Sequence, residues 1–210
     1  MVRIFLAEDH DIVRRGLCAL LEEQPGWTVC GEASNGLEAV DAIIAQTPNV
    51  AIVDYALPML NGLEVIRKVH RAAPEIQTLM FTQHDNEVLI KEALQAGARG
   101  FLTKSESDDQ IVSAVSALSR RRPYFSMRLS EAMLKDFLRQ GEGPENPLSP
   151  REREVVQLIA EGNSNKRVAS LLDISIKTVE SHRSASMRKL NIKTTANLIR
   201  YAVRNKLIEA

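Results

Sequence analysis

Five side chains in the first half of the chain are of the types that phosphoryl transfer to a carboxylate requires, and each stands where an apolar run stops. Glu8 and Asp9 follow the run Val2–Ala7, Asp54 ends Val50–Asp54, Thr82 ends Gln77–Thr82, and Lys104 comes just after Gly100–Leu102. Three carboxylates gathered in one cleft cannot all stay ionised without a cation. A small set of oxygen ligands with room left for water suits Mg2+. A carboxylate nucleophile, a divalent cation, a lysine and a hydroxyl donor together can move a phosphoryl group onto the carboxylate.

These residues meet only if the apolar runs lie side by side. The runs Val2–Ala7, Trp27–Ala33, Val50–Asp54, Gln77–Thr82 and Gly100–Leu102 are rich in Val, Ile, Leu and Phe, as strands buried in a parallel sheet must be. Helix-period stretches separate them at Asp11–Gln24, Gly36–Ala45, Gly62–Ala73, Asn86–Ala96 and Ser107–Ser119. In the first of these, Ile12, Leu17, Leu20 and Leu21 are expected to share roughly one face. Five β–α repeats predict a five-stranded, parallel, doubly wound α/β sheet with helices on both faces. In flavodoxin-like strand order the first and third strands are neighbours, so Glu8, Asp9 and Asp54 converge at the carboxyl edge, where active residues of such sheets collect.

The pattern stops at Arg120–Pro123. An amphipathic helix is expected from Met127 to Leu138, followed by the breaker-rich GEGPENP of residues 141–147. Beyond it every periodic segment is helical: Pro150–Ala160, Lys166–Leu172, Ile176–Leu190 and Thr195–Asn205. Ser149, Pro150 and Glu152 form a capping-box arrangement with proline at the first helical position. The expected organisation is an α/β domain at 1–122, a linker with a helix at 123–146, and a small all-α domain at 147–210. Formal charge divides along the same line. Residues 1–123 carry −5 and residues 147–210 carry +6, within a chain of net charge zero. A basic small domain is the electrostatic footprint of a nucleic-acid binder. No apolar run approaches the roughly 20 residues of a membrane span. Acid at positions 8 and 9 comes too early for a secretory signal. A cytoplasmic location without membrane contact is therefore expected, with Cys18 and Cys30 reduced.

The segments AEDH (7–10), VDYALPMLNG (53–62), FTQHD (81–85) and GARGFLTKS (97–105) occur in the order and spacing of response-regulator receivers, and residues 1–120 resemble that domain throughout. The resemblance implies Asp54 as phosphoacceptor and a partner histidine kinase as phosphodonor. It implies Mg2+ held by Asp9, by Glu8 mainly through water, by Asp54 and by the carbonyl of Ala56. Thr82 and Lys104 would bind the phosphoryl group, and Phe101 would be the aromatic that repositions with Thr82. Ser105 departs from the pattern. It stands where many receivers carry proline, and a cis peptide there would cost a few kcal/mol without one. His84 either tunes dephosphorylation or is merely exposed.

Residues 148–206 resemble the LuxR-type helix-turn-helix that follows receivers in the NarL/FixJ family of two-component response regulators. In that frame Lys166–Leu172 is the supporting helix and Ile176–Leu190 the recognition helix, capped by Ser175. Val179, Met187 and Leu190 fall on the core side. Lys177, Glu180, Ser181, Ser184 and Arg188 recur at spacings of three and four on the other. Lys177, Arg183, Arg188 and Lys189 are the candidate phosphate contacts. Glu180, Ser181 and Ser184 are the candidate base contacts, with Thr178 among the DNA-facing set. Asp173 and Asn191 stand at turns where the family commonly has glycine, and both types tolerate the left-handed conformation. Ser186 replaces a usual large apolar residue, so looser packing is expected beneath the recognition helix.

The combined expectation is a DNA-binding transcriptional regulator whose phosphorylation on Asp54 either releases the recognition helix or drives dimerisation. Duplex DNA, a second copy of the chain and RNA polymerase are its expected partners. The rival reading, a phosphatase working through an aspartyl-phosphate, needs a second Asp two residues after the first as general acid-base. That position is Ala56, so the chain is read as a regulator with slow self-phosphorylation and dephosphorylation rather than as an enzyme. The other alternative is a receiver that acts only as a protein-interaction module.

Overall fold

The structure, a computed structural model, describes residues 1–83, 87–125, 147–205, 207 and 208. The helix expected at 127–138, the linker residues that follow it up to 146, and His84 lie outside the described residues. The chain divides into two compact units.

The first unit alternates strand and helix: β1 Val2–Ala7, α1 Asp11–Glu22, β2 Trp27–Ala33, α2 Gly36–Gln46, β3 Val50–Asp54, α3 Gly62–Ala72, β4 Gln77–Thr82, α4 Glu87–Ala96, β5 Gly100–Thr103, α5 Asp108–Ser119 and β6 Tyr124–Phe125. All strand pairs are parallel, in the order β2-β1-β3-β4-β5-β6. The parallel doubly wound sheet is as expected, but it has six strands rather than five. After α5 the chain turns back through Arg121 in the left-handed region, and Tyr124 N–H donates to the Arg99 carbonyl at 3.0 Å. The two residues of β6 then satisfy the edge of β5. Two residues are too few to show a period of two, so the sequence pattern could not announce them.

Strand side chains alternate between two buried faces. On one face Ile4, Leu6, Val50, Ile52, Leu79, Phe81 and Leu102 pack with Leu17 and Leu21 of α1 and with Ile111, Ala114, Val115 and Leu118 of α5. Ile12 does not join them; it is 87 % exposed. It lies nine positions before Leu21, about two and a half helical turns, and so points away from it. Val13 and Cys18 fill the inward face instead.

Parallel neighbours β1 and β3 pair from Ile4↔Val50 to Ala7↔Val53, which brings the chain leaving β1 beside Asp54. The turn after β3 is held by Gly62, whose N–H donates to the Tyr55 carbonyl at 2.9 Å. A β-carbon on Gly62 would meet the Asp54 carbonyl oxygen at 2.0 Å. Backbone cannot be pushed aside as a flexible side-chain end can.

The second unit is helical: α6 Pro150–Ala160, α7 Asn165–Leu171, α8 Ile176–Lys189 and α9 Thr195–Arg204. Each begins at a hydroxyl cap. Ser149, Ser164, Ser175 and Thr194 accept from the backbone N–H of Glu152, Arg167, Thr178 and Asn197. The capping box is complete, because Ser149 N–H donates to Glu152 Oε2 at 2.8 Å. The turns after α7 and α8 pass through Asp173 (φ 50°) and Asn191 (φ 53°), the left-handed positions expected of them. Val155, Val156, Leu158, Val168, Val179, Leu198 and Ala202 form the core, with Met187 and Leu190 packed on it.

Gly62→Ala is expected to lower the urea midpoint of the full chain by the equivalent of roughly 1–3 kcal/mol, the range for overpacking. An unchanged midpoint would show that the turn yields freely.

Candidate functional site

The first unit gathers Glu8, Asp9, Asp54 and Lys104 at the carboxyl edge of the sheet. Asp54 is 2 % exposed at the end of β3, and Glu8 is 1 % exposed just after β1. Lys104 Nζ donates to Glu8 Oε1 at 2.9 Å and lies 2.8 Å from Glu8 Oε2 and 3.0 Å from Asp54 Oδ2. It also stands 6.0 Å from the centre of the Phe81 ring. His10 adds a side chain to which the sequence assigned no role. Its Nδ1 is 3.1 Å from Glu8 Oε1 and 3.0 Å from Asp9 Oδ1.

Burial pushes the Asp54 carboxyl up from its ordinary 3.8 to about 6; the charge of Glu8 adds to the rise and Lys104 opposes it. Burial alone would push Lys104 down, but the charges of Asp54 and Glu8 outweigh it and the net shift is upward. The charge of Asp9 holds His10 above its ordinary range. The pocket thus carries more negative charge than its one buried lysine offsets.

The remaining first-unit candidates surround this centre. Thr82 is buried at the end of β4, opposite Thr103, and its carbonyl accepts from Lys104 N–H at 2.7 Å. Ala56 sits half-buried in the turn directly after β3. Phe101 is buried in β5, in register with Met80 on one side and Phe125 on the other. Among the described residues no peptide bond is cis, that between Lys104 and Ser105 included, so Ser105 is accommodated in the trans form.

Buried oxygens supply a fit test for a cation. Glu8 Oε2, Asp9 Oδ1 and Asp54 Oδ2 are inaccessible to solvent and accept no aligned hydrogen bond. One ligand atom from each of Glu8, Asp9, His10 and Asp54 lies within 4.8 Å of the others. A carboxylate-rich set of this kind fits a hard divalent cation.

In the second unit, α8 exposes Lys177, Glu180, Ser181, Ser184 and Arg188. Thr178 is half-buried, its hydroxyl 2.8 Å from that of the cap Ser175. Two of the expected phosphate contacts are engaged within the unit. Arg183 donates to Asn165 Oδ1 at 3.3 Å and to Thr195 Oγ1 at 2.6 Å, which ties α8 to α7 and α9. Lys189 donates to Glu152 Oε2 at 2.7 Å. Ser186 is fully buried, and its hydroxyl is satisfied by the His182 carbonyl at 2.8 Å.

Residues 4–116 match the model of the response regulator receiver domain, and residues 146–202 that of the bacterial regulatory proteins of the luxR family. The chain belongs to the response regulators. It is 34 % identical over 217 residues to the oxygen regulatory protein NreC of Staphylococcus epidermidis, across 99 % of this chain and all of the relative. Among solved structures it is similar to a LuxR-family two-component response regulator from Aurantimonas, with 31 % identity and TM-score 0.63 over 66 % of this chain and 99 % of that one. It is also similar to the RcsB response regulator of Salmonella typhimurium, with 26 % identity and TM-score 0.60 over 97 % of this chain and 98 % of that one. RcsB has been solved as two dimers bound to two parallel DNAs, which this chain matches at TM-score 0.59 and 25 % identity over 95 % of its length and 96 % of that chain. This response regulator thus joins a receiver to a LuxR-type output domain, the composition of a DNA-binding transcription regulator. No helix among the described residues is long and apolar enough to cross a membrane.

The raised Asp54 carboxyl sets a stability prediction for the metal-free protein. A proton binds the folded state more tightly than the unfolded one, so Asp54 contributes stability below about pH 4 that is lost as pH rises through about 6. In EDTA, Asp54→Asn is expected to melt above the wild type at neutral pH, with the gain shrinking as the solution is acidified through that window. Thermal melts at stepped pH measure it.

Proposed function

We propose that Asp54 accepts a phosphoryl group from the phosphohistidine of a partner histidine kinase, and that this modification changes how the second unit engages duplex DNA. The observation that carries the reading is the convergence of Glu8, Asp9, Asp54 and Lys104 at one sheet edge. An Asp54 oxygen attacks phosphorus, the new O–P bond forms, and the N–P bond of the donor breaks. Lys104 balances charge on the phosphoryl oxygens, and the Thr82 hydroxyl turns to donate to one of them. Glu8, Asp9, Asp54 and the Ala56 carbonyl would hold Mg2+, which when bound would offset the negative charge of the transferring group. Phe101 follows Thr82 and carries the change into the surface around β4 and β5. With Ala56 where a hydrolase would place its second Asp, the acyl phosphate lacks the general acid-base of such an enzyme. It turns over slowly and serves as a stored signal.

On the DNA side, the face of α8 carrying Lys177, Glu180, Ser181, Ser184 and Arg188 enters the major groove. Lys177 and Arg188 contact phosphates, while Glu180, Ser181 and Ser184 meet base edges, with Thr178 at the start of the helix beside them. Arg183, engaged with both neighbouring helices, orients α8 rather than reaching outward, while Lys189 pairs with Glu152 yet stays exposed and is a further phosphate contact. A homodimer suits the reading, because two recognition helices reach half-sites about one turn apart. RNA polymerase is a further partner on bound DNA. A cytoplasmic location suits action with a kinase and DNA.

Acetyl phosphate with Mg2+ is expected to change the affinity of the full chain for a duplex selected from random sequence by at least roughly fivefold. Asp54→Asn should not respond; an equal response in the variant would remove Asp54 from the mechanism. Lys177→Ala and Arg188→Ala should each reduce the slope of log affinity against log salt by about 1. Arg183→Ala should instead lower the melting temperature of the second unit, as seen by circular dichroism.

A further inference from the structure

We propose that Arg14 is the positioning residue of the acidic pocket: its guanidinium holds the Glu8 carbonyl, and with it the turn that carries Glu8 and Asp9, while Glu32 on β2 fixes the guanidinium. The inference rests on the phosphoacceptor reading above and names what keeps the pocket's carboxylates in place.

The backbone of Glu8 is anchored at both ends. Its N–H donates to the Ala33 carbonyl at 3.0 Å, continuing the β1–β2 ladder by one residue. Its carbonyl has no strand partner left and accepts from Arg14 Nη1 at 2.7 Å. Arg14 Nε donates to Glu32 Oε2 at 3.0 Å, and Nη2 pairs with Asp11. A planar guanidinium holds three acceptors at fixed angles, which a lysine cannot do. The Arg14 side chain is 16 % exposed and Glu32 47 %, so the buried end of the link is the guanidinium on the Glu8 carbonyl.

The partnership with Glu32 depends on an irregularity in β2. Ile4 pairs with Val29 but Phe5 pairs with Gly31, so Cys30 is an extra residue in the ladder. Val29 faces the core beneath α1. In an unbroken strand Glu32, three residues on, would face the opposite side, because successive side chains alternate. The bulge reverses the alternation once. Glu32 therefore pairs with Leu6, which lies in the same core beneath α1, and meets Arg14 there.

Outer partners that fix metal ligands typically contribute 10- to 100-fold in metal affinity. Mg2+ binding to the full chain by titration calorimetry is expected to weaken roughly tenfold or more in Arg14→Met, less in Arg14→Lys, and in the same direction in Glu32→Gln. Arg14→Met combined with Glu32→Gln should be no weaker than Arg14→Met alone, because the two act in series. Half-saturating Mg2+ for labelling by acetyl phosphate should rise in parallel, while the rate at saturating Mg2+ stays within about threefold of wild type, as expected where positioning rather than chemistry is lost. Glu32→Gln, which keeps shape and volume, carries the test if Arg14→Met fails to fold. A lower melting point in EDTA with unchanged Mg2+ affinity would overturn the proposal in favour of a purely structural pair. Absence of Mg2+ binding in the wild type would overturn the phosphoacceptor reading and this proposal together.

Discussion

Lys104 lies within 3.0 Å of both Asp54 and Glu8, and the pocket around it holds one buried cation against three carboxylates. That imbalance is the constraint on which the first unit is organised. Burial first, and then the like charge of Glu8, raise the proton affinity of Asp54, which sits at about 6 as a result. The site is costly for the fold and is held by parts that do not participate in the chemistry. These are the β1–β3 register, the close approach of Gly62 to the Asp54 backbone, and the anchored backbone of Glu8. A pocket under such tension responds strongly to added charge, whether a divalent cation or a phosphoryl group. That is the property a switch needs.

Much of this was legible in the sequence because parallel strands buried on both faces read as apolar runs, and four of the five carboxyl ends could be located to the residue, β5 running one residue further, to Thr103. All five expected strands form, and the neighbouring of β1 and β3 follows from the fold class. Three features escaped. Tyr124 and Phe125 form a strand too short to carry a periodic signal. Ile12 faces solvent because α1 turns it away from Leu21, which a coarse reading of one helix face overlooked. The link from Arg14 to Glu32 depends on the bulge at Cys30, and a one-residue irregularity in a strand leaves no mark in a hydropathy pattern.

In the second unit the caps and turns were the most legible features, since Ser149, Ser175, Asp173 and Asn191 act through their own backbone. Which cations are engaged by other helices was not legible. Arg183 and Lys189 lie on the recognition helix among basic neighbours, but their partners Asn165, Thr195 and Glu152 come from the other three helices. Periodicity within one helix cannot report such contacts. Ser186 likewise reads as a defect in the apolar face, yet the structure buries it completely with its hydroxyl returned to the His182 carbonyl.

The central claim is that Asp54, among all the acidic residues of the chain, is the one poised to take a phosphoryl group. Mapping the modification addresses it most directly. The full chain is treated with acetyl phosphate with and without Mg2+, the acyl phosphate is trapped by borohydride reduction, and the altered residue is located by mass spectrometry. Labelling at Asp54 that requires Mg2+ is the predicted result. Labelling at another residue, or equal labelling in EDTA, would contradict the account.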